Sequence, residues 1–387
     1  MEWKEVRLGD FMQCNPKRTI KKGQKARKIT MDLLIPHSKT IRNWNYEPYS
    51  GGAKFQNGDT IMARITPCLE NGKHAFVSIL DEGEIAYGST EYFVFCGKEK
   101  VSDNDFVYYL TQTPLFRDTA IKSMVGSSGR QRAQMDVLEN LKMFVPKDIS
   151  DQRRIASILS SLDRKIELNN KINADLEEMA QAIFKNWFVD FEPFKDGKFV
   201  DSELGMIPEG WKVGSLGDFC NVFTGKKNTN QAIEKGLYPF FSCAPEPLAS
   251  NDAIFNGKAI IIAGNGSYTG RTSFYNGGFD LYQRTYACTI REQDKENLMI
   301  FFYHMMKQFF EPTKMGGTRG SSIPYIVMGD ITQQKFPYSE DWLIRFSNIA
   351  NSMMDRKLRI DKENSRLSLL RDTLLPRLMS GELEVPE

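Results

Sequence analysis

Residues 155–187 read IASILSSLDRKIELNNKINADLEEMAQAIFKNW. Ile155, Leu162, Asn169, Leu176 and Ile183 recur every seven residues, and Leu159, Ile166, Asn173, Ala180 and Trp187 stand four further on in each heptad. Two inward positions per seven are the seam of paired helices. The spacing predicts one long helix over 151–190 with a second helix beside it. Asn169 and Asn173 interrupt the seam, and a buried amide there fixes register and partner at some cost in stability. The partner is at the other end of the chain, where Phe346, Met353, Ile360, Leu367 and Leu374 keep the same spacing. Ser339 ahead of Glu340 and Asp341 suits an N-cap with acids in the first turn. Pro376 should bend or end this helix, and Gly381 suits a stop.

Working outward, the chain repeats itself. Trp3-Lys4 and Leu8-Gly9-Asp10-Phe11 recur as Trp211-Lys212 and Leu216-Gly217-Asp218-Phe219. Met124-x-Gly126-x-x-Gly129 recurs as Met315-x-Gly317-x-x-Gly320, Pro146 as Pro337, and Asp163-Arg164-Lys165 as Asp355-Arg356-Lys357. The order is the same in both copies, so we expect a tandem repeat with pseudo-two-fold symmetry. Its divisions are a globular part at 1–150, a long helix at 151–190, a connector at 191–210, a second globular part at 211–338 and a C-terminal helix at 339–387. The fold class expected is α+β, with two mixed α/β parts separated by two long antiparallel helices forming a coiled-coil rod. Strands are expected at Ile61–Ile65, Ala75–Leu80 and Tyr92–Cys96 in the first part, and at Ala259–Ala263 and Tyr286–Ile290 in the second. Short helices are expected at Asp105–Thr111 and Asn297–Phe310. A helix over 151–188 would be about 57 Å long, the rise of about 17 base pairs of duplex. Two globular parts at opposite ends of such a rod could each address half of a split DNA site.

The 387 residues suffice for a core without disulfides or metals. Six scattered cysteines without C-x-x-C and three histidines without ligand spacing argue against a metal site and fit reduced thiols in a cytoplasm. No apolar run is long enough to cross a bilayer, so no membrane role is expected. Net charge is only +2, but its distribution alternates from basic (22 against 18 acidic residues over 1–150) to acidic (8 against 11 over 151–208), basic and weakly acidic. Basic segments suit a polyanion, and acidic ones a protein partner.

Candidate contacts to a polyanion follow. Lys17, Arg18, Lys21 and Lys22, continuing into Lys25, Arg27 and Lys28, form a cationic run with no acid inside it. Such a run either neutralises phosphates or is a solvated loop. Gly126-Ser-Ser-Gly-Arg130-Gln131-Arg132 combines small residues, which let backbone approach a phosphate, with donors suited to base edges. Its counterpart, Gly316 to Ser322, holds Arg319 and Ser321. Gly264-Asn265-Gly-Ser-Tyr268-Thr-Gly-Arg271 follows an apolar strand but is G-x-G-x-x-x-G, so it meets neither the Rossmann nor the P-loop fingerprint. It reads as a glycine loop at a DNA surface or a plain turn. Lys226 and Lys227 join the second set; Arg64 and Lys73 join the first, with pairing to local acids as their alternative. No G-x-S-x-G occurs, and no pair of carboxylates stands out for acid–base work, so no catalytic residue is assigned. An adaptor that reads DNA, a stand-alone DNA-modifying enzyme with unrecognised motifs and a coiled-coil protein scaffold all remain open at this level.

Longer motifs carry a resemblance. Ile183-Phe184-x-x-Trp187-Phe188-Val-Asp190-Phe191-Glu192-Pro193, Leu204-Gly205-x-Ile207-Pro208-Glu209-Gly210-Trp211 and Leu374-Leu375-Pro376-Arg377-Leu378-x-Ser380-Gly381-Glu382 resemble the specificity subunit of type I restriction–modification enzymes. So do Ala63-Arg64-Ile-x-Pro67-Cys68-Leu69-Glu-Asn71-Gly72-Lys73 and Ser89-Thr90-Glu91-Tyr92. The resemblance covers nearly the whole chain. It implies two target-recognition domains, each reading half of an asymmetric, interrupted site in double-stranded DNA, with helices that hold the spacer. It implies two modification subunits that dock on the helices and methylate adenine N6 with S-adenosylmethionine. It implies restriction subunits that use ATP and Mg, and no cofactor on this chain. In keeping with that, the Asn/Asp-Pro-Pro-Tyr/Phe motif of such a methyltransferase is missing.

Overall fold

The computed structural model describes residues 1–310 and 324–385. They form two compact units. The first holds Met1–Lys171 with Ile360–Glu387, and the second holds Ile172–Arg359. Spatial grouping therefore departs from chain order, because the end of the chain folds with its beginning.

In the first unit the strand Trp3–Arg7 pairs antiparallel with Lys142–Pro146. A four-stranded sheet runs in the order Met12–Cys14, Tyr92–Gly97, Thr60–Ala63, His74–Phe76. A second runs Asn45–Pro48, Lys25–Ile29, Ala86–Gly88, Lys54–Phe55. The helix Asn104–Leu110 starts at Asp103, whose side chain accepts from the Phe106 N–H at 3.2 Å. It presses Phe106 and Val107 into a core with Leu8, Phe11, Phe95 and Phe116. Ile155 and Leu159 of the first long helix and Leu375, Leu378 and Met379 of the last one close that core. Each such buried side chain stabilises the fold by about 1.5–3 kcal/mol.

The second unit repeats the plan. Lys212–Ser215 pairs with Lys335–Tyr338, and one six-stranded sheet runs Cys220–Thr224, Thr285–Ile290, Phe255–Ala263, Thr272–Leu281, Tyr238–Phe241, Leu248–Ser250. The central register is the same in both copies. Ala63 faces Tyr92 and Thr60 faces Phe95 in the first, while Ala263 faces Thr285 and Ile260 faces Cys288 in the second. Its core packs Ile260, Ile262 and the helix Met299–Phe309 against Phe184, Phe188, Phe346 and Ala350 of the two long helices.

Those helices span Ile149–Phe188 and Glu340–Met379. They are antiparallel within each unit: Asp163 meets Arg371 and Asn169 meets Asn364 in the first, and Glu177 meets Lys357 in the second. Of the seam residues, Ile155, Phe346 and Asn169 are fully buried and Ile360 is nearly so. Leu162, Leu176, Ile183, Met353, Leu367 and Leu374 are half-buried. Trp187 sits edge-on to Trp342 at 4.9 Å, in the helix-pair core with Phe188.

Pro376 does not end its helix, which runs on to Met379 before Gly381 takes a φ of 78°. A proline removes one hydrogen bond from the ladder, and the burial of Leu375, Leu378 and Met379 offsets that loss. The strand expected over Ala75–Leu80 is only His74–Phe76. Beyond it the turn at 57–59 captures the backbone: Gly58 N–H donates to the Val77 carbonyl at 2.8 Å, and Leu80 N–H to Asn57 Oδ1 at 3.0 Å. Pro146 and Pro337 are not equivalent in space. Lys4 faces Val145 and Lys212 faces Tyr338, so Pro337 corresponds to Phe144. The segment after Phe188 is also more ordered than its composition suggests. Phe194 packs on Trp211 and Trp342, and Phe199–Val200 pairs with Ile207–Pro208.

Candidate nucleic-acid interface

In the first unit three segments converge where the strand Thr60–Ala63 ends. Arg64 N–H donates to the Glu91 carbonyl at 2.9 Å, and Ala133 N–H donates to the Arg64 carbonyl at 2.8 Å. Thr66 N–H reaches the Gln131 carbonyl at 3.0 Å. Val125 and Arg132 exchange two backbone bonds of 3.0 and 2.9 Å, which close residues 126–131 into a small loop. Gly126 and Gly129 take φ of 136° and 76°, conformations that side chains disfavour, and this holds Ser127, Ser128 and Arg130 out in solvent. Gln131 is half-buried at the base of the loop.

Glu91 organises the charges here. Its carboxylate accepts from Arg132 Nε at 2.9 Å and from Arg132 Nη2 at 2.7 Å, and it stands 3.5 Å from Arg64 Nε. Arg64 also lies over the Phe93 ring at 5.3 Å. Beside them an open groove of about 580 Å3 is lined by Asn15, Lys17, Gly52, Lys54, Arg64 and Thr90. Lys17, Lys21 and Lys22 are exposed. Arg18 points inward instead: its Nε donates to Asp59 Oδ2 at 2.9 Å, and both side chains are mostly buried. Burial pushes the Asp59 carboxyl up in spite of the guanidinium beside it. Lys73 Nζ donates to the Met31 carbonyl at 2.7 Å, and its charge helps to lower the Asp32 carboxyl.

In the second unit the strand Phe255–Ala263 runs into the glycine loop. Gly264 N–H donates to the Arg284 carbonyl at 2.9 Å, and Ile326 N–H donates to the Gly264 carbonyl at 2.8 Å. A Cβ at 264 would collide with that Arg284 carbonyl and with the Tyr286 ring, so only glycine fits. Thr269 Oγ1 donates to the Gly266 carbonyl at 2.7 Å and to the Pro324 carbonyl at 2.9 Å, which makes the loop a turn held from two sides. Tyr268 is 46% exposed at its tip. Asn265 accepts from Cys243 Sγ at 3.0 Å, and Arg271 is half-buried with its Nη2 on the Ala244 carbonyl. Lys226 is exposed, whereas Lys227 is tied to Asp252 and Asp280, each at 2.7 Å. Arg319 and Ser321 lie outside the described residues.

Each unit also fastens its globular part to the helices through a carboxylate. Asp163 Oδ2 accepts from Tyr109 Oη at 2.6 Å, and its Oδ1 accepts from Arg371 Nη1 at 2.7 Å. Glu177 accepts from Tyr303 Oη at 2.8 Å, Lys307 at 2.6 Å and Lys357 at 2.8 Å. Burial alone would raise the Glu177 carboxyl, but Lys357 and Lys307 outweigh it and hold it down at about 2. Asn169 Nδ2 donates to Glu363 and Asn364, each at 2.9 Å, so both of its N–H groups face the other helix. Among the described residues no cluster of His, Cys, Asp and Glu could hold a metal ion, and no helix is long and apolar enough to cross a membrane.

At these strand ends the sequence did not single out Glu91, Lys54 or Arg284 as candidate contacts. Glu91 sits in Ser89-Thr90-Glu91-Tyr92, a motif already singled out, but an acid among cations reads as a local counter-ion until its two arginines are seen together.

Residues 1–178 and 208–339 match the family model for the type I restriction modification DNA specificity domain. The chain is 28% identical over 305 residues to the MjaIX type I restriction enzyme specificity subunit of Methanocaldococcus jannaschii, covering 73% of this chain and 70% of that one. It is 24% identical to the HindI specificity subunit of Haemophilus influenzae, covering 99% and 100% of the two chains. Among solved structures, the S subunit of a type I restriction-modification system from M. genitalium shares the fold with a TM-score of 0.55 at 15% identity, over 98% of this chain and 96% of that one.

Proposed function

The chain belongs to the type I restriction–modification DNA specificity family and is a DNA sequence-specificity subunit, not itself an enzyme; from that premise we propose that each of its two units reads one half of an asymmetric, interrupted site in double-stranded DNA. One observation carries this reading. The two units share one strand register and one hydrogen-bonded frame, yet present different side chains on it. A shared frame suits a shared task, and different donors suit different base sequences.

The long helices set the number of base pairs between the half-sites and dock two modification subunits, which methylate adenine N6 from S-adenosylmethionine. Restriction subunits with ATP and Mg complete the cytoplasmic complex. Lys17, Lys21, Lys22, Lys54 and Arg130 contact phosphates or bases for the first unit; Lys226, Tyr268 and Arg271 do so for the second.

The test is reconstitution. The modification subunits with this chain should transfer methyl groups to DNA and bind it with an affinity that falls steeply as salt rises. Neither component alone should do so. Methyl transfer by the chain alone would favour an enzyme, and binding that ignores salt would favour a protein scaffold.

A further inference from the structure

We infer that Glu91 is a positioning residue for sequence reading: it orients Arg132, with Arg64 beside it, so that Arg132 reads a guanine in the half-site taken by the first unit. This rests on the DNA-reading role proposed above.

The Glu91 carboxylate cannot wander. Its backbone N–H donates to Ser89 Oγ at 3.1 Å, and its carbonyl accepts the Arg64 N–H at 2.9 Å. Arg132 is held at both ends, by its backbone exchange with Val125 and by the side-on grip of Glu91 on Nε and Nη2. A guanidinium carries five N–H donors. Glu91 takes the Nε–H and one from Nη2, and the Arg130 carbonyl takes one from Nη1 at 3.2 Å. One N–H remains on each terminal nitrogen. Two donors at that spacing match O6 and N7 of guanine, the commonest specific contact of arginine in the major groove.

The arrangement makes poor sense as a stability device. The Arg132 side chain is 39% exposed, and ion pairs so placed contribute little to folding. It makes better sense as preorganisation. A guanidinium already fixed loses less freedom when it meets a base. With two arginines on one carboxylate the cluster keeps a net positive charge, so its attraction for the phosphate backbone survives. Among the described residues the second unit has no such trio at the matching positions. The positions bonded in the same way hold Gly264, Arg284 and Tyr325.

The experiment is methylome sequencing of a host carrying the full chain with its modification subunit, as wild type, Glu91→Gln, Arg132→Lys and the double variant. Arg132→Lys should relax one guanine position, in one half of the motif only, by about tenfold or more. Glu91→Gln should relax the same position by less, and the double variant should be no worse than Arg132→Lys, because the two act as one unit. The other half of the motif and the melting temperature of the complex should not change. A Glu91→Gln protein that keeps wild-type stringency, lowers methylation evenly at all sites, or relaxes a position that Arg132→Lys leaves alone overturns the proposal. A wild-type chain that directs no methylated motif defeats the DNA-reading role itself, and this assignment with it.

Discussion

Two strand ends, one in each unit, carry the same backbone bonds and different chemistry. In the first, Ala63 N–H reaches the Lys73 carbonyl at 2.9 Å, and the backbone of Arg64 is bonded to Glu91 and Ala133. In the second, Ala263 N–H reaches the Arg271 carbonyl at 3.0 Å, and the backbone of Gly264 is bonded to Arg284 and Ile326. One frame thus presents an arginine–glutamate–arginine trio in one copy and a glycine turn with a tyrosine at its tip in the other. The comparison teaches where variation is permitted. Backbone polar groups must stay paired when they leave water, so the frame is constrained. Side chains that project from it are free to differ, and with them the bases each unit reads.

Putting the first copy's arginine into the second, Gly264→Arg, should destabilise the second unit by about 3 kcal/mol or more, since a side chain there strikes Arg284 and Tyr286. The reverse change, Arg64→Gly, should cost well under half of that; thermal unfolding of both variants decides it, and equal costs would break the comparison.

Next comes the carboxylate in each fastening. Glu177→Gln leaves Lys307 and Lys357 without their counter-ion and should cost about 2–3 kcal/mol by denaturant unfolding. The sign of its pH dependence is fixed. The Glu177 carboxyl is held at about 2 against an ordinary 4.5, so its stabilisation is present above pH 4.5 and is lost as pH falls toward 2. His304 acts earlier on the same side. Burial lowers it from 6.5 to about 4, so the unfolded chain takes up its proton first and stability declines as pH falls from 6.5 toward 4. Glu177→Gln should therefore shrink the lower part of the acid transition, while the decline due to His304 remains. A transition unchanged below pH 4.5 would contradict this.

Smaller still, Tyr109→Phe and Tyr303→Phe each remove one hydroxyl from a buried carboxylate, and each should cost about 1–2 kcal/mol. Smallest of all, Arg130→Ala, on the exposed loop, should change stability by less than about 0.5 kcal/mol. If Arg130 holds a phosphate, that variant should weaken binding evenly across DNA sequences and lower the salt slope by about one.

How much of this was legible in the sequence follows from which signals are periodic. The seam from Ile155 to Ile183 was plain because it repeats by sevens, and the repeat of Leu8-Gly9-Asp10-Phe11 at Leu216 showed that the plan occurs twice. Asn169 and Asn173 were legible as polar members of that seam, and both are buried, but Asp163 was not. Asp163 is more buried than its neighbour Leu162, because Tyr109 and Arg371 satisfy its carboxylate, and no pattern of hydropathy announces that. The strand lost after Phe76 depended on Asn57, a side chain far away in sequence. Of the candidate contacts, Lys17, Lys21, Lys22, Arg130 and Lys226 lie open to solvent, while Arg18 and Lys227 are occupied by acids at a distance in the chain. A run of cations shows that charge is present, and only the fold decides which of its members face outward.

The measurement that bears most directly on two unlike readers on one frame is the methylome of a host with and without this gene, in the presence of its modification subunit. The account predicts that deletion removes N6-methyladenine from one interrupted motif whose halves differ in sequence. A lost motif that is continuous, or whose halves are identical, or a methylome that the deletion leaves untouched, would contradict it.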